Sequence, residues 1–351
     1  MKKFFCLILC VTSFSLCFFT IKTVKADNNY TAEIVIEADT NRILHKKNIN
    51  TKKYMASTTK ILTAITIIEN CNLNDIVTVT KETVGVEGSS IYLEEGEEIS
   101  VKDLLYGLML RSGNDCAETL ALYCSGDIKS FASLMNDTAN KIGALNSNFT
   151  NPHGLHDDNH YTTAYDLAII SSYAMKNSTF REIVSKKSVN ISFSTRDYDR
   201  HIVNKNKLLS SLDGATGIKT GYTKKAGRCL VSSCKRNGME LICVVLNCPD
   251  MFERSKNLIN DSFNKYEKYK VIDSKNIIDF VKIENSDKTL AIHTKNDVVL
   301  PLTTNEYNNL KVVYDYPKTL QKDKINDKEI GYIKIYCENN LLFKEKIYTI
   351  I

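Results

Sequence analysis

The chain has 351 residues, 43% of them hydrophobic and 25% charged, with a formal net charge of +5. The length exceeds one ordinary small domain and suggests two, and the composition is that of a soluble globular protein. Lys2, Lys3, Lys22 and Lys25 lie in an N-terminal stretch without acids. The remainder therefore carries only about +1, which gives no support to nucleic-acid binding.

That stretch, "MKKFFCLILCVTSFSLCFFTIKTVKA", has the parts of a secretory signal. Two lysines start it, Phe4 to Ile21 is apolar, and Val24-Lys25-Ala26 resembles a cleavage site, so residues 1–26 read as a signal peptide. An uncleaved anchor is the competing reading, because the apolar run is near the lower length for spanning. Tyr30 to Lys46 then reads as a β-hairpin turning at Asp39-Thr40-Asn41. "KYMASTTKILTAI" opens a helix that buries much of its circumference. "SVKDLLYGLMLRSGNDCAETLALYCSG" reads as two helices around Ser112-Gly113-Asn114. "DIKSFASLMNDTANKIGAL" is an amphipathic helix stopping at Gly143, and Thr163 caps another with Asp166 three residues on. Residues 214–248 read as strand, hairpin and strand, followed by a helix over "MFERSKNLINDSFNKYEKY". The expectation is an α/β (α+β) domain over residues 27–270 and a small all-β domain over 271–351, where short β-rich runs alternate with turns. The eight cysteines after the signal show no zinc spacing and sit largely in apolar runs, so no disulfide is required.

The Ser57 helix carries the first chemical pattern. Residues three apart on a helix are neighbours, so Lys60 points back at the Ser57 hydroxyl. A serine needs a base to become a nucleophile, and a lysine serves if burial and other cations lower its pKa. The helix start adds free N–H groups and positive charge. The plain alternative is a helix cap followed by a surface lysine. Two further patterns weigh against that. Ser112-Gly113-Asn114 lies between helices, and Lys219-Thr220-Gly221 begins a strand, so the chain reads S-x-x-K, S-x-N, K-T-G in order. The roles are coherent. Ser57 attacks a carbonyl and Lys60 takes its proton. Ser112 relays protons, and Asn114 bonds Lys60 or the substrate amide. Lys219 and Thr220 meet a carboxylate, and Gly221 admits the substrate backbone. The oxyanion hole pairs the Ser57 N–H with one near Tyr222.

These motifs, with "FTNPHGLHDDNHYTTAYDLA" and "GIKTGYTKKAGRCLVSSCKRNGMELICVVL", closely resemble the low-molecular-mass penicillin-binding proteins, the serine-type D-alanyl-D-alanine carboxypeptidases. The resemblance covers roughly residues 29 to 270, and more weakly the β-rich end. It implies a serine transpeptidase/β-lactamase-like domain, the D-Ala-D-Ala end of peptidoglycan stem peptides as substrate, β-lactams as inhibitors and no cofactor. It also implies an arginine for the substrate carboxylate, which without gaps falls at Arg254. The chain departs from many relatives in having Met55 where proline is common and Tyr222 where His or Thr is common. It ends in "LLFKEKIYTII", which alternates like a strand, so membrane-surface association stays open. His153, His156 and His160 match the family loop and read as no metal site, with His153 lining the cleft. A β-lactamase would need a glutamate to hold a deacylating water, and no E-x-x-L-N occurs in residues 145–215. A non-catalytic peptidoglycan-binding protein would not need all of Ser57, Lys60, Ser112, Asn114 and Lys219.

Overall fold

The computed structural model describes residues 30–321 and 328–350, so the expected signal peptide lies outside them. β1 (Ala32–Glu37) and β2 (Ile43–Lys47) form the expected hairpin, with Asn41 in the left-handed region at φ 56°. β3 (Ala215–Thr223), β4 (Gly227–Arg236) and β5 (Met239–Leu246) form a meander whose last strand pairs with β1. The result is a five-stranded antiparallel sheet in the order β2-β1-β5-β4-β3.

Every residue of β5 is buried, as a strand covered on both faces requires; six apolar residues run from Leu241, and the buried Glu240 pairs with Arg181 at 2.7 Å. Alternation divides the residues between two cores. Ile242, Val244 and Leu246 join Ile34 and Ile36 on one face, while Leu241, Cys243 and Val245 join Val35 on the other.

The larger core is helical. It holds α1 (Lys60–Asn70), α2 (Val101–Tyr106), α3 (Asn114–Ser125), α4 (Ile128–Ile142), α5 (Ala164–Lys176) and α6 (Ser178–Ser185). α1 is buried from Lys60 through Ile67, so it has neighbours on almost every side. α4 stops at Gly143 with φ 94°, and the Thr163 hydroxyl caps α5 by accepting from the Asp166 N–H at 3.0 Å. The far face of the sheet takes α7 (Met251–Lys265) through Leu258 and Ile259.

β-Rich structure follows. β6 (Glu267–Ile272) pairs with β9 (Val298–Leu302). β7 (Asp279–Ile283), β8 (Thr289–His293), β10 (Leu310–Asp315), β11 (Thr319–Leu320), β12 (Glu329–Cys337) and β13 (Asn340–Thr349) form a six-stranded sheet in the order β10-β12-β13-β8-β7-β11. These strands bury their own core around Val281, Ile292, Leu300, Ile333 and Ile347. β6 runs across the expected boundary at 270/271, because its partner strand lies in the second unit, so that unit begins with β6. The units meet where Arg42 bonds the Pro301 carbonyl and Glu306, and where Lys268 reaches Glu37 at 3.2 Å and Asp39 at 2.7 Å. Among the described residues no helix is long and apolar enough to cross a membrane.

Candidate active site

Ser57 sits in a short 3₁₀ turn, Ala56–Thr59, that leads into α1. Ala56 has φ 48°, a left-handed conformation that costs an alanine energy. Such strain persists only where the surroundings enforce it. Gly154 is part of them: a Cβ there would lie 2.0 Å from the Ala56 carbonyl oxygen, so the 150–160 loop packs directly against the turn. His160 holds the same loop. Its Nε2 lies 2.7 Å from Thr59 Oγ1, and its Nδ1 accepts from the Thr150 N–H at 3.0 Å. Burial pushes His160 down to about 3, so it is neutral and structural.

Lys60 is fully buried, and its Nζ lies 3.2 Å from Ser57 Oγ. Two oxygens flank the amine, Asn114 Oδ1 at 2.6 Å and the His153 carbonyl at 2.8 Å. Burial pushes Lys60 down to about 7, an effect that Lys205 adds to and Asp115 opposes. A neutral amine has two N–H groups and one lone pair. The two flanking oxygens take the N–H groups, which leaves the lone pair for the Ser57 hydroxyl.

Asn114 is oriented in turn. Its Nδ2 donates to the Glu87 carbonyl at 2.5 Å, which turns Oδ1 toward Lys60. Ser112 is buried beside it with φ 72°, at the end of a π-helical turn over Gly107–Arg111 that the sequence pattern did not suggest. Asp115 fixes the overlying loop, accepting from Ser90 Oγ at 2.5 Å and from the Ile91 and Leu93 N–H groups at 3.1 and 3.2 Å.

β3 forms the opposite wall. Lys219 is buried and donates to the Thr220 carbonyl at 3.0 Å. Burial, then Lys60 and Lys205, hold its amine well below the ordinary lysine value. A Cβ on Gly221 would lie 3.0 Å from both the Met55 oxygen and the Ser57 nitrogen, so glycine sets how closely the strand approaches the nucleophile. Tyr222 is exposed at the mouth. The cleft, about 350 Å³, is lined by Ser57, Ser112, Thr220, Gly221, Tyr222, Met251 and Phe252 among others. An adjoining hollow of similar volume adds Asn114, His153 and Arg111.

The structure thus gathers Ser57, Lys60, Ser112, Asn114, Lys219, Thr220, Gly221 and Tyr222 around one cleft. One expected residue stands elsewhere. Arg254 lines neither hollow. From α7 its Nε and Nη2 donate to Glu33 of β1 at 3.1 and 2.7 Å, and that forked pair is where its charge is used. His153 borders the adjoining hollow; its ring turns to Glu118 at 3.2 Å, and its backbone carbonyl reaches Lys60. Sequence reasoning missed Lys205 and Ser89. Both line the two hollows, and Lys205 Nζ donates to Ser89 Oγ at 2.8 Å. "NKNK" reads as a polar loop, and only the fold brings it to the cleft.

The family profile for D-alanyl-D-alanine carboxypeptidase (peptidase S11) matches residues 20–250, and that for the penicillin-binding protein 5 C-terminal domain matches residues 266–350. D-alanyl-D-alanine carboxypeptidase DacF of Bacillus subtilis is 31% identical over 290 residues, covering 80% of this chain and 74% of that protein. A D-alanyl-D-alanine carboxypeptidase of a Streptomyces species is 38% identical over 223 residues, covering 59% of this chain and 77% of that protein. Among solved structures, penicillin-binding protein 5 from Haemophilus influenzae superposes with a TM-score of 0.81 at 26% identity, covering 93% of this chain and 97% of that one. The chain belongs to the peptidase S11 family of D-alanyl-D-alanine carboxypeptidases, the low-molecular-mass penicillin-binding proteins.

Proposed function

We propose that this serine carboxypeptidase removes the terminal D-alanine of peptidoglycan stem peptides through an ester formed on Ser57. The observation that carries the reading is the Lys60 amine, buried beside Ser57 Oγ with both of its neutral-state N–H groups engaged elsewhere. Lys60 takes the hydroxyl proton as Ser57 Oγ bonds to the carbonyl carbon of the penultimate D-alanine. The Ser57 N–H and a β3 N–H near Tyr222 receive the oxyanion. The C–N bond then breaks as a proton passes from Lys60, by way of Ser112, to the leaving nitrogen. Water enters along the same path, loses a proton to Lys60 and hydrolyses the ester. A β-lactam follows the first half, and its leaving nitrogen stays tethered.

The substrate carboxylate is held by Lys219 and Thr220, with Lys205 in the part expected of Arg254. Three amines near one cleft depress one another's charge, and an arriving carboxylate relieves that repulsion. The enzyme works outside the cytoplasmic membrane, secreted or held at its surface, after loss of residues 1–26.

The test is release of D-alanine from a stem pentapeptide. Turnover abolished by penicillin and by Ser57→Ala supports the reading. Penicillin bound without D-alanine release from the wild type would overturn it.

A further inference from the structure

α1 and α3 pack side by side, and at their N-terminal ends Lys60 bonds to Asn114. Their C-terminal ends meet at two cysteines. Cys71 is the C-cap of α1, with its N–H still bonded to the Ile67 carbonyl at 2.9 Å. Cys124 lies in the last turn of α3. The two thiols lie close enough for each to shift the other's ionisation, and both are half-buried against the same core. The other six cysteines of the described residues are buried. Beside the pair the Tyr123 hydroxyl donates to Asp75 Oδ2 at 2.5 Å.

We propose that Cys71 and Cys124 are a redox-active pair that closes to a disulfide, stapling α1 to α3 at the ends remote from the active site. Each helix carries one partner of the Lys60–Asn114 bond in its first turn, and the segment between the cysteines carries Ser89 and Ser112. The staple therefore braces the base and the amide that orients it, and it restricts the unfolded chain.

The chemistry balances with an external disulfide RSSR as oxidant. The neighbouring thiol holds Cys124 below the ordinary cysteine value while Cys71 is pushed up, so Cys124 is the attacking thiolate. Its sulfur bonds to one sulfur of RSSR and expels RS⁻, which takes up a proton. Cys71 then loses its proton, attacks Cys124 Sγ in the mixed disulfide and expels the second RS⁻. Two electrons and two protons leave the protein as two molecules of RSH. Export, part of the proposed function, supplies oxidising surroundings, but the pairing can be tested without it.

The experiment treats the purified protein with oxidised glutathione, then denatures and alkylates it without reduction. Peptide mapping should find the Cys71 peptide joined to the Cys124 peptide, two hydrogens lighter than the sum. Cys116, Cys229, Cys234, Cys243, Cys248 and Cys337 should all be alkylated. The oxidised protein should melt about 5–10 °C above the reduced one. That gap should vanish in both Cys71→Ser and Cys124→Ser, each of which should still bind penicillin. Alkylation of both cysteines after oxidation would overturn the proposal. So would a stable glutathione adduct on Cys124, a bridge to another cysteine, or a bridge with no change in melting.

Discussion

Lys60 Nζ stands 2.6 Å from Asn114 Oδ1, and that oxygen faces the amine because the other end of the same amide donates to the Glu87 carbonyl. A neutral amide oxygen accepts an N–H without fixing a charge on the lysine. Asn114→Asp would replace it with a carboxylate. An opposite charge at this distance favours the protonated amine and raises its pKa by roughly 1–3 units. The acid limb of the acylation rate should move up in pH by that amount. A limb that stays at its wild-type position would remove Asn114 from the control of Lys60.

Lys60→Ala removes the base. Acylation by penicillin should slow by about 10²–10⁴-fold while the protein remains folded, because alanine suits a helix. Stopped-flow acylation and circular dichroism measure the two effects separately. Acylation within a few-fold of wild type would transfer the base role to another group, Ser112 first.

Lys205 and Arg254 separate recognition from structure. Lys205→Ala should slow hydrolysis of peptides with a free C-terminus by about 10- to 150-fold, the worth of one charge-assisted hydrogen bond at roughly 1.5–3 kcal/mol. A C-terminally amidated peptide should lose much less. Arg254→Ala should leave that discrimination intact and lower stability by about 1–3 kcal/mol at neutral pH, because Glu33 is left buried without its forked partner. Glu33 is held below the ordinary carboxyl value against the cost of burial, by Arg254 most of all. The stability this pair gives is present above the ordinary carboxyl pKa and lost as pH falls and Glu33 is protonated. The gap between wild type and Arg254→Ala should therefore shrink in acid. A loss on free-acid peptides equal in the two variants would contradict the assignment.

Gly221→Ala tests the approach of β3 to the nucleophile. The added methyl would meet Met55 oxygen and the Ser57 and Thr58 nitrogens at 3.0 to 3.1 Å, all backbone atoms that must yield by a few tenths of an ångström. A displaced strand misaligns the oxyanion site, and misplacement of about 1 Å can cost about 10²-fold. kcat/KM should fall within that bound with little change in melting temperature. Unchanged kinetics would show that Gly221 is not a spacing device.

What was legible in the sequence is what depends on local spacing. Ser57 and Lys60 meet because they are three residues apart across the 3₁₀ turn that runs into α1, and the β3–β5 meander follows from its apolar runs. The contact of Asn114 with Lys60 needed the short ordered motifs, since no local rule joins two helices. Lys205 had no such signal. Its amine reaches the cleft only because its loop packs beside the π-helical turn, where its N–H bonds the Leu110 carbonyl at 3.1 Å. The ungapped count that pointed to Arg254 ignores where α7 begins. The helix starts at Met251, so Met251 and Phe252 border the cleft while Arg254 stands over Glu33. β6 crosses the expected boundary for a similar reason, since strand pairing across the chain is not a local property.

The central claim is that neutral Lys60 activates Ser57, and the pH dependence of Ser57 acylation by penicillin tests it most directly. Penicillin carries one carboxylate, ionised throughout the neutral range, so the acid limb reports the protein. With Lys60 held near 7 by burial, the rate constant should rise about tenfold per pH unit below 7 and level off above it. A rate independent of pH between about 5 and 8 would contradict the claim, because a protonated lysine cannot take the serine's proton.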